Sequence, residues 1–220
     1  MLEKIWKRLL NLKKRNTFCY DFVKITGIIP AYIWVRPKVR RLNKGVPKKI
    51  KGGVLIASNH PTFIDPITVH LTFWYRRLYS IATKDLSRTK LRAFFFNIAN
   101  CILIDKENMS MRAIHDVCDA LKSEKAVVIF PEGGVNKTGK EVASFKSGVI
   151  LMAHMSKKPI VPMYIKKAER WYKRTKVVLG EPIDIVQMIG ERPAMADIDR
   201  ACQYLHDKEV ELADFCNKMK

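Results

Sequence analysis

GVLIASNHPTFIDP, residues 53–66, joins a continuous apolar run to a short segment that contains a histidine and an aspartate. The run Gly53–Ser58 has the length of a β-strand and shows no polar alternation, so both of its faces are predicted to be buried. Proline suits the first helical position, so Pro66 predicts a helix start with Asp65 as its N-cap. His60 then lies on the turn just past the carboxyl end of a strand, where open α/β sheets bind ligands.

Apolar runs of strand length recur from this stretch onward, and segments with helical periodicity separate them. The runs predict strands at 78–83, 101–105, 126–130, 160–165 and 176–180, and helices are predicted at 66–75, 90–99, 110–123, 147–156 and 194–218. Buried strands separated by helices predict a single α/β layered domain with a largely parallel or mixed sheet flanked by helices. We expect this domain to span residues 50–220, after an N-terminal segment of residues 1–49.

The composition combines enough apolar residues for a core with a large positive charge. The chain has 220 residues, with 41 Lys and Arg against 21 Asp and Glu, so its formal charge is +20. A content of 48% apolar residues excludes a disordered basic tail. The charge favours anionic partners, and nucleic acid, anionic lipid and phosphorylated substrates are all compatible with it. Residues 1–51 hold 15 of the basic residues and two acids, which indicates a contact surface in that part of the chain.

Two apolar segments within residues 1–49 are expected to meet a membrane. Leucine, isoleucine and tryptophan recur at helical spacing over residues 2–10 beside lysine and arginine, which predicts a basic amphipathic helix. Residues 17–35 are apolar but contain Asp21, Lys24 and Pro30, and a charge at a bilayer centre costs about 3 kcal/mol. We therefore predict a shallow helical hairpin in one anionic leaflet rather than a spanning helix. The alternative is that both helices pack on the domain as ordinary amphipathic elements.

The five cysteines show neither C-x-x-C pairing nor histidines at zinc-ligand spacing. An odd number of cysteines in a lysine-rich chain is typical of reduced thiols in the cytosol, and the sequence implies no metal site. Together with the basic N-terminal segment, this predicts a protein on the cytoplasmic face of the cell membrane, bound in a monotopic or peripheral manner.

The spacing of His60 and Asp65 allows a base and the carboxylate that orients it. A turn between them could fold the carboxylate back onto the imidazole, fix its tautomer and stabilise the imidazolium. The alternative is a loop histidine without a chemical task and an aspartate that only caps the following helix. The spacing of these two residues does not decide between the two interpretations.

Further blocks of sequence, in order over residues 50–165, carry a resemblance to a known family. Asn59-His60-x4-Asp65 resembles the NHxxxxD motif of the PlsC-like 1-acylglycerol-3-phosphate acyltransferases, and Phe130–Gly134 resembles their F-P-E-G-[TG] motif. Four further blocks are similar to the family pattern, and these are Lys84-Asp85-Leu86, Ile102–Lys106, Phe145–Gly148 and Ile160–Met163.

The resemblance implies a glycerol-3-phosphate acyltransferase-like fold and acyl transfer from acyl-CoA or acyl carrier protein. The acceptor would be the free hydroxyl of 1-acylglycerol-3-phosphate, the product phosphatidic acid, and no cofactor would be needed beyond the acyl thioester as co-substrate. The resemblance implies that His60 is the general base and that Asp65 orients it. It also implies a set of substrate-binding residues, namely Asn59, Lys84, Lys106, Glu132, Gly133 and Lys146.

The residue types agree with this chemistry. A hydroxyl is a weak nucleophile at neutral pH, so a base must take its proton during attack, and such catalysis supplies about 10²–10⁴-fold in rate. The sequence contains no G-x-S-x-G elbow, so we expect direct transfer with both substrates bound rather than a covalent acyl-enzyme. The lysines would hold the phosphate of the acceptor, although a lysine in such a set is also compatible with a solvated surface charge.

Three positions depart from the family pattern and leave the acceptor open, and the first is Asn100, which stands where the family usually has glycine. Val135 stands where the family has an arginine that contributes to phosphate binding, and Lys106 stands where arginine is typical. A lysine keeps the charge but loses the bidentate geometry of arginine. Another lysophospholipid or lipid acceptor is therefore an alternative. A nucleic-acid-binding module and a catalytically silent lipid-binding protein are further alternatives, but no nucleic-acid-binding motif is recognisable, so we expect no nucleic-acid partner.

Overall fold

A computed structural model of the chain describes residues 17–87, 89–104, 111–168 and 173–219. Seven strands form one sheet, and they are β1 (Lys38–Arg41), β2 (Val54–Ser58), β3 (Leu78–Thr83), β4 (Cys101–Ile104), β5 (Ala126–Ile129), β6 (Ile160–Lys166) and β7 (Lys176–Leu179). The strand order is β1-β7-β6-β2-β5-β3-β4. All neighbours pair in parallel except β6 and β7, which are antiparallel. The predicted α/β layered domain with a largely parallel or mixed sheet is confirmed.

Helices cover both faces of this sheet. They are α1 (Thr17–Val35), α2 (Asp65–Thr72), α3 (Lys90–Ile98), α4 (Met111–Lys122), α5 (Gly148–Ser156), α6 (Ile185–Ile189) and α7 (Met195–Lys218), with a 3-10 turn at Lys84–Ser87. Apolar side chains of α4, α5 and α7 pack with one face of the central strands, and those of α2 pack with the other. Every residue of β2 and β5 is buried, as expected for strands covered on both sides.

The sheet begins before residue 50, where the sequence placed the start of the domain. β1 lies inside the segment 1–49 that was assigned to membrane-associating helices, and it pairs with β7 through Lys38–Arg41 and Lys176–Leu179. Val46 and Ile50 are buried in the core that follows β1. The strand is an exposed edge strand of four residues, three of them basic, so it carries no apolar run from which it could be predicted.

The N-terminal helix α1 is attached to the domain along one side and exposed along the other. The buried Tyr20 accepts a hydrogen bond from the amide of Leu78 at 3.1 Å, and Asp21 forms an ion pair with Arg77. Pro30 lies inside the helix. The amphipathic helix predicted over residues 2–10 lies outside the described residues, so the predicted hairpin remains a prediction. Across the described parts of the chain, no helix combines the length and the apolar character that crossing a membrane requires.

Candidate active site

His60 and Asp65 meet at the carboxyl end of β2. Nδ1 of His60 lies 2.8 Å from Oδ2 of Asp65, and the two side chains are 13% and 2% exposed. The contact requires a proton between them, which is placed on Nδ1 because an ionised carboxylate can only accept. This tautomer leaves Nε2 of His60 as the basic nitrogen. The turn predicted to fold the carboxylate back onto the imidazole is therefore present.

Asp65 does not cap helix α2 in the way the sequence predicted. Ile64 is the N-cap, and Asp65 is the first helical residue, followed by Pro66. The carboxylate instead accepts from the Thr62 amide and the Thr62 hydroxyl, each at 2.6 Å. These bonds hold the carboxylate in the turn, so it reaches His60 and not the amides of the helix.

Asn59 is a structural anchor between two strands. Its side chain is buried, accepts from the Ile165 amide at 2.8 Å and donates to the Ile165 carbonyl at 3.0 Å. The pair of bonds joins the end of β2 to β6 where the backbone ladder between them has stopped. The sequence assigned Asn59 to substrate binding, and the structure places its amide against protein backbone.

Asn59→Ala is expected to lower the free energy of unfolding by about 2 kcal/mol, because it leaves two buried backbone groups of Ile165 without partners. Urea unfolding followed by circular dichroism would measure the loss. The matched control is Asn217→Ala, which removes an exposed asparagine that bonds to Glu141. Equal stability of the two variants would contradict the anchoring role.

The segment Phe130–Gly134 forms the wall opposite the turn. The ring of Phe130 stacks on the imidazole of His60 with centroids 4.1 Å apart and planes 20° apart. The carbonyl of His60 accepts from the amide of Asn136 at 2.8 Å, which fixes the two segments to each other. Gly133 has φ +75°, a left-handed conformation that favours glycine, and the end of the Lys146 side chain lies directly beside this turn.

Glu132 points away from the open side of this wall. Its Oε1 accepts from the amide of Ala143 at 3.0 Å, and its Oε2 is buried without a hydrogen-bond partner among the described residues. Burial raises the pKa of the Glu132 carboxyl, and the amides of Ala143 and His60 oppose that rise. The sequence assigns Glu132 to substrate binding, which stays a prediction; the structure places its carboxyl against the Ala143 amide, and Glu132 is not among the residues that line the cavity.

A cavity of about 910 Å³ extends from His60 between helix α1, helix α2 and the ends of the central strands. Its lining is mostly apolar, and its residues near His60 include Phe63, Phe130, Gly133 and Lys146. Gly27, Ile28 and Ala31 of α1 line another part, so α1 forms a wall of the cavity. Such a volume and lining suit a long apolar ligand whose reactive end lies at His60.

The three predicted lysines differ in position. Lys146 lines the cavity and has its Nζ beside Gly133. Lys84 is exposed on the 3-10 turn after β3, between the cavity-lining residues Thr83 and Leu86. Lys106 lies outside the described residues. Lys146 is thus the predicted lysine that the structure brings to the same cavity as His60.

Two residues of the site were not foreseen from the sequence. Thr62 binds the carboxylate of Asp65 through both its amide and its hydroxyl, and its position inside NHxxxxD was a signal for this. Glu209 on α7 is fully buried, and its helical spacing with the apolar Leu205 and Leu212 was a signal for it. Among the described residues, no group of three histidine, cysteine, aspartate or glutamate side chains could hold a metal ion.

Comparison with known proteins gives matches to one family. The family model described as acyltransferase matches residues 36–166. A 1-acyl-sn-glycerol-3-phosphate acyltransferase of Bacillus subtilis is 28% identical over 136 residues, which are 60% of this chain and 67% of that protein. The enzyme of the same name from Cocos nucifera is 32% identical over 133 residues, which are 58% of this chain and 42% of that protein.

A solved structure has the same fold. The crystal structure of the 1-acyl-sn-glycerophosphate acyltransferase PlsC from Thermotoga maritima superimposes with a TM-score of 0.61 at 18% identity. The match covers 94% of this chain and 85% of that one, so it extends beyond residues 36–166 to the flanking elements of the fold.

Proposed function

The chain belongs to the acyltransferase family, whose model matches residues 36–166, and on this premise we propose that it acylates 1-acylglycerol-3-phosphate to give phosphatidic acid. The acyl donor is a thioester, acyl-CoA or acyl carrier protein, and no other cofactor takes part. The curated relatives from Bacillus subtilis and Cocos nucifera are named for this acceptor. The observation that carries the proposal is the His60–Asp65 pair beside a large and mostly apolar cavity that His60 lines.

His60 acts as the general base. Nε2 takes the proton of the acceptor hydroxyl as its oxygen attacks the thioester carbonyl, and the carboxylate of Asp65 stabilises the imidazolium that forms. When the tetrahedral intermediate collapses, the new C–O bond remains, the C–S bond breaks, and the imidazolium returns the proton to the leaving sulfur. The stacking of Phe130 keeps the ring in the plane that Asp65 requires.

The acyl chain of the donor occupies the apolar cavity. A cavity of about 910 Å³ can bury a chain of many methylenes, and each buried methylene contributes about 0.8 kcal/mol. Helix α1 lines part of the cavity through Gly27, Ile28 and Ala31, so the same helix would meet both the acyl chain and the membrane from which lipid substrates come.

Lysines at the mouth hold the phosphate of the acceptor. Lys146 has its ammonium at the Gly133 turn on the cavity wall, where it meets an anion bound near His60. Lys84 is an exposed cation at the rim, and we assign Lys84 and Lys106 to the same phosphate. Because Val135 replaces the arginine of the family pattern, these lysines would supply the charge that is missing there.

Assays with the purified full chain test the function. Acyl-CoA or acyl carrier protein thioesters of several chain lengths are offered with lysophosphatidate, other lysophospholipids and an acceptor-free blank. We expect transfer to lysophosphatidate with either or both donors, and falling turnover once the chain exceeds the cavity. Transfer to a different lysophospholipid alone would support the alternative acceptor that Val135 suggests. Binding of lipid without any transfer would overturn the enzymatic proposal.

We assign the protein to the cytoplasmic face of the cell membrane, bound from one side. The outward face of α1 exposes large apolar side chains, with Ile25, Ile29 and Ile33 each 66–69% exposed at a spacing of four residues. None of these three lines the cavity, so they are free to enter a leaflet. The charge of residues 1–51 adds attraction to anionic lipid, about 1 kcal/mol for each lysine or arginine near the surface.

Replacing Ile25, Ile29 and Ile33 together by serine is expected to weaken vesicle binding by about tenfold or more, because burying one such side chain contributes about 1.5–3 kcal/mol. Sedimentation with phosphatidylcholine vesicles, with and without phosphatidylglycerol, measures the binding. Val210→Ser on α7 is the control for an exposed apolar position elsewhere. Unchanged binding of the triple variant would contradict the assignment of this face to the membrane.

A further inference from the structure

Helix α7 carries a glutamate on the face that it turns to the core. Glu209 is 0% exposed, and neither of its carboxyl oxygens has a hydrogen-bond partner among the described residues. Its helical neighbours on that face are apolar, namely Leu205, Leu212, Ala213 and Cys216. A carboxyl in such a place costs several kcal/mol if it is charged and alone, so it needs a proton or a partner.

The contacts of the neighbouring turns of α7 define what Glu209 faces. One turn before it, the ring of His206 meets the ring of Phe145 with centroids 5.2 Å apart. One turn after it, Leu212 belongs to the same buried apolar cluster as Val142 and Tyr164. Glu209 therefore lies opposite the segment 142–145, between these two contacts.

The same segment binds Glu132. The amide of Ala143 donates to Oε1 of Glu132 at 3.0 Å, and Oε2 of Glu132 is a second buried acceptor without a partner among the described residues. Both carboxyls are therefore buried behind the active-site wall, close enough for the charge of Glu132 to act on Glu209, and three of their four oxygens have no hydrogen-bond partner among the described residues. A proton on one carboxyl would give the other a donor.

The electrostatics at this point favour a single negative charge. Burial and the charge of Glu132 raise the pKa of Glu209 well above its usual range, and the amide of Asn59 opposes the rise only in part. The carboxyl of Glu132 has the amides of Ala143 and His60 beside it, which favour its charged form. The pKa of both carboxyls is raised by burial, and the rise is greater for Glu209, so Glu209 is the one of the two whose protonated form is favoured more strongly.

We propose that Glu209 is a positioning residue, which stays protonated and donates its O–H to Oε2 of Glu132, thereby holding the Phe130–Gly134 wall against His60. Glu209 lies outside residues 36–166, so the family pattern does not include it. Its effect on His60 passes through Glu132 and through Phe130, whose ring stacks on the imidazole. The consequence for catalysis rests on the proposed function, whereas the protonation state of Glu209 does not.

Two substitutions separate the donated proton from the volume of the side chain. Glu209→Gln keeps an N–H donor and the shape, whereas Glu209→Leu keeps most of the volume and removes the donor. We expect Glu209→Gln to keep kcat within about threefold, and Glu209→Leu to lower it by about tenfold or more with less change in KM. Glu211→Gln and Glu211→Leu, at an exposed position two residues further along α7, are the matched controls. Equal losses of kcat in both Glu209 variants would overturn the positioning role.

A pH series tests the proton itself without an activity assay. Because the folded pKa of Glu209 is raised above its unfolded value, the wild-type protein loses stability as pH rises from the unfolded pKa toward the folded one. Glu209→Gln cannot lose that proton, so its Tm relative to wild type should rise from pH 5 to pH 8. Infrared difference spectra of wild type minus Glu209→Gln should contain the carbonyl stretch of a protonated carboxylic acid.

Other titratable groups near Glu132 and Glu209 can also contribute to the pH dependence of Tm, so the pH series must be controlled for them. His60 and Asp65 in the active-site turn interact with Glu132, and Tyr164 interacts with both carboxyls. Glu141 and Cys216 act in turn on Tyr164. All of them are present in both proteins, so the difference between wild type and Glu209→Gln isolates Glu209. A Tm difference that does not change with pH, or a spectrum without the acid band, would overturn the proposal. An acid band in a protein without acyl transfer would instead reject the proposed function and leave Glu209 protonated.

Discussion

Replacing His60 by alanine is expected to lower kcat for acyl transfer by about 10²–10⁴-fold, the contribution of a positioned general base. Nδ1 of His60 is held by Asp65 at 2.8 Å and the ring by Phe130, so Nε2 is the one basic nitrogen that the turn offers to the acceptor hydroxyl. The His60 side chain is 13% exposed in the wild-type protein, so removing the imidazole leaves only a small gap at a partly exposed position. We therefore expect the variant to fold. Steady-state assays with acyl-CoA and lysophosphatidate measure the loss.

The control is another histidine replaced in the same way. His115 lies on the exposed surface of α4 and does not line the cavity, so His115→Ala should retain wild-type turnover. The thermal unfolding of both variants is compared with wild type, so that a loss of fold is not mistaken for a loss of the base. A His60→Ala variant that is folded and within tenfold of wild-type kcat would contradict general-base catalysis by His60.

The central sheet could be predicted because its strands are buried on both faces. Runs such as residues 53–58 and 126–130 are continuous in apolar residues and have the length of a strand. β3 begins and ends at the predicted residues, 78 and 83. The edge strand β1 could not be predicted, because its exposed basic residues form no apolar run. Its hydrogen bonds to β7 are what make this segment a strand.

Some features of the site could likewise be predicted from the sequence, and others could not. The His60–Asp65 contact was one of the two interpretations that the spacing allowed, and the family resemblance favoured it. The orientation of Glu132 could not be predicted, because it depends on the amide of Ala143, in a loop without periodicity. Glu209 lies 77 residues further along the chain, and only tertiary packing brings α7 behind the wall.

Asp65→Asn is expected to lower kcat by about 10²-fold while leaving the geometry of the turn intact. The amide oxygen can replace Oδ2 and accept from both Nδ1 of His60 and the amide of Thr62. The new NH₂ group can donate to the Thr62 hydroxyl, which now bonds to Oδ1 at 2.6 Å and can accept as well as donate. The tautomer of His60 is therefore kept, and the substitution removes the negative charge that stabilises the imidazolium.

Asp65→Ala and the double variant Thr62→Val with Asp65→Asn distinguish charge from orientation. Asp65→Ala leaves Nδ1 of His60 and the Thr62 amide without an acceptor. In the double variant, the valine at position 62 has no hydroxyl to accept from the new NH₂ group at position 65. Both should fall below Asp65→Asn in kcat, and Asp65→Ala should also fall in stability by about 1–3 kcal/mol. Asp119→Asn on the exposed side of α4 should match wild type. Wild-type kcat in Asp65→Asn would mean that the Asp65 carboxylate orients His60 through a hydrogen bond but does not stabilise the imidazolium by its charge.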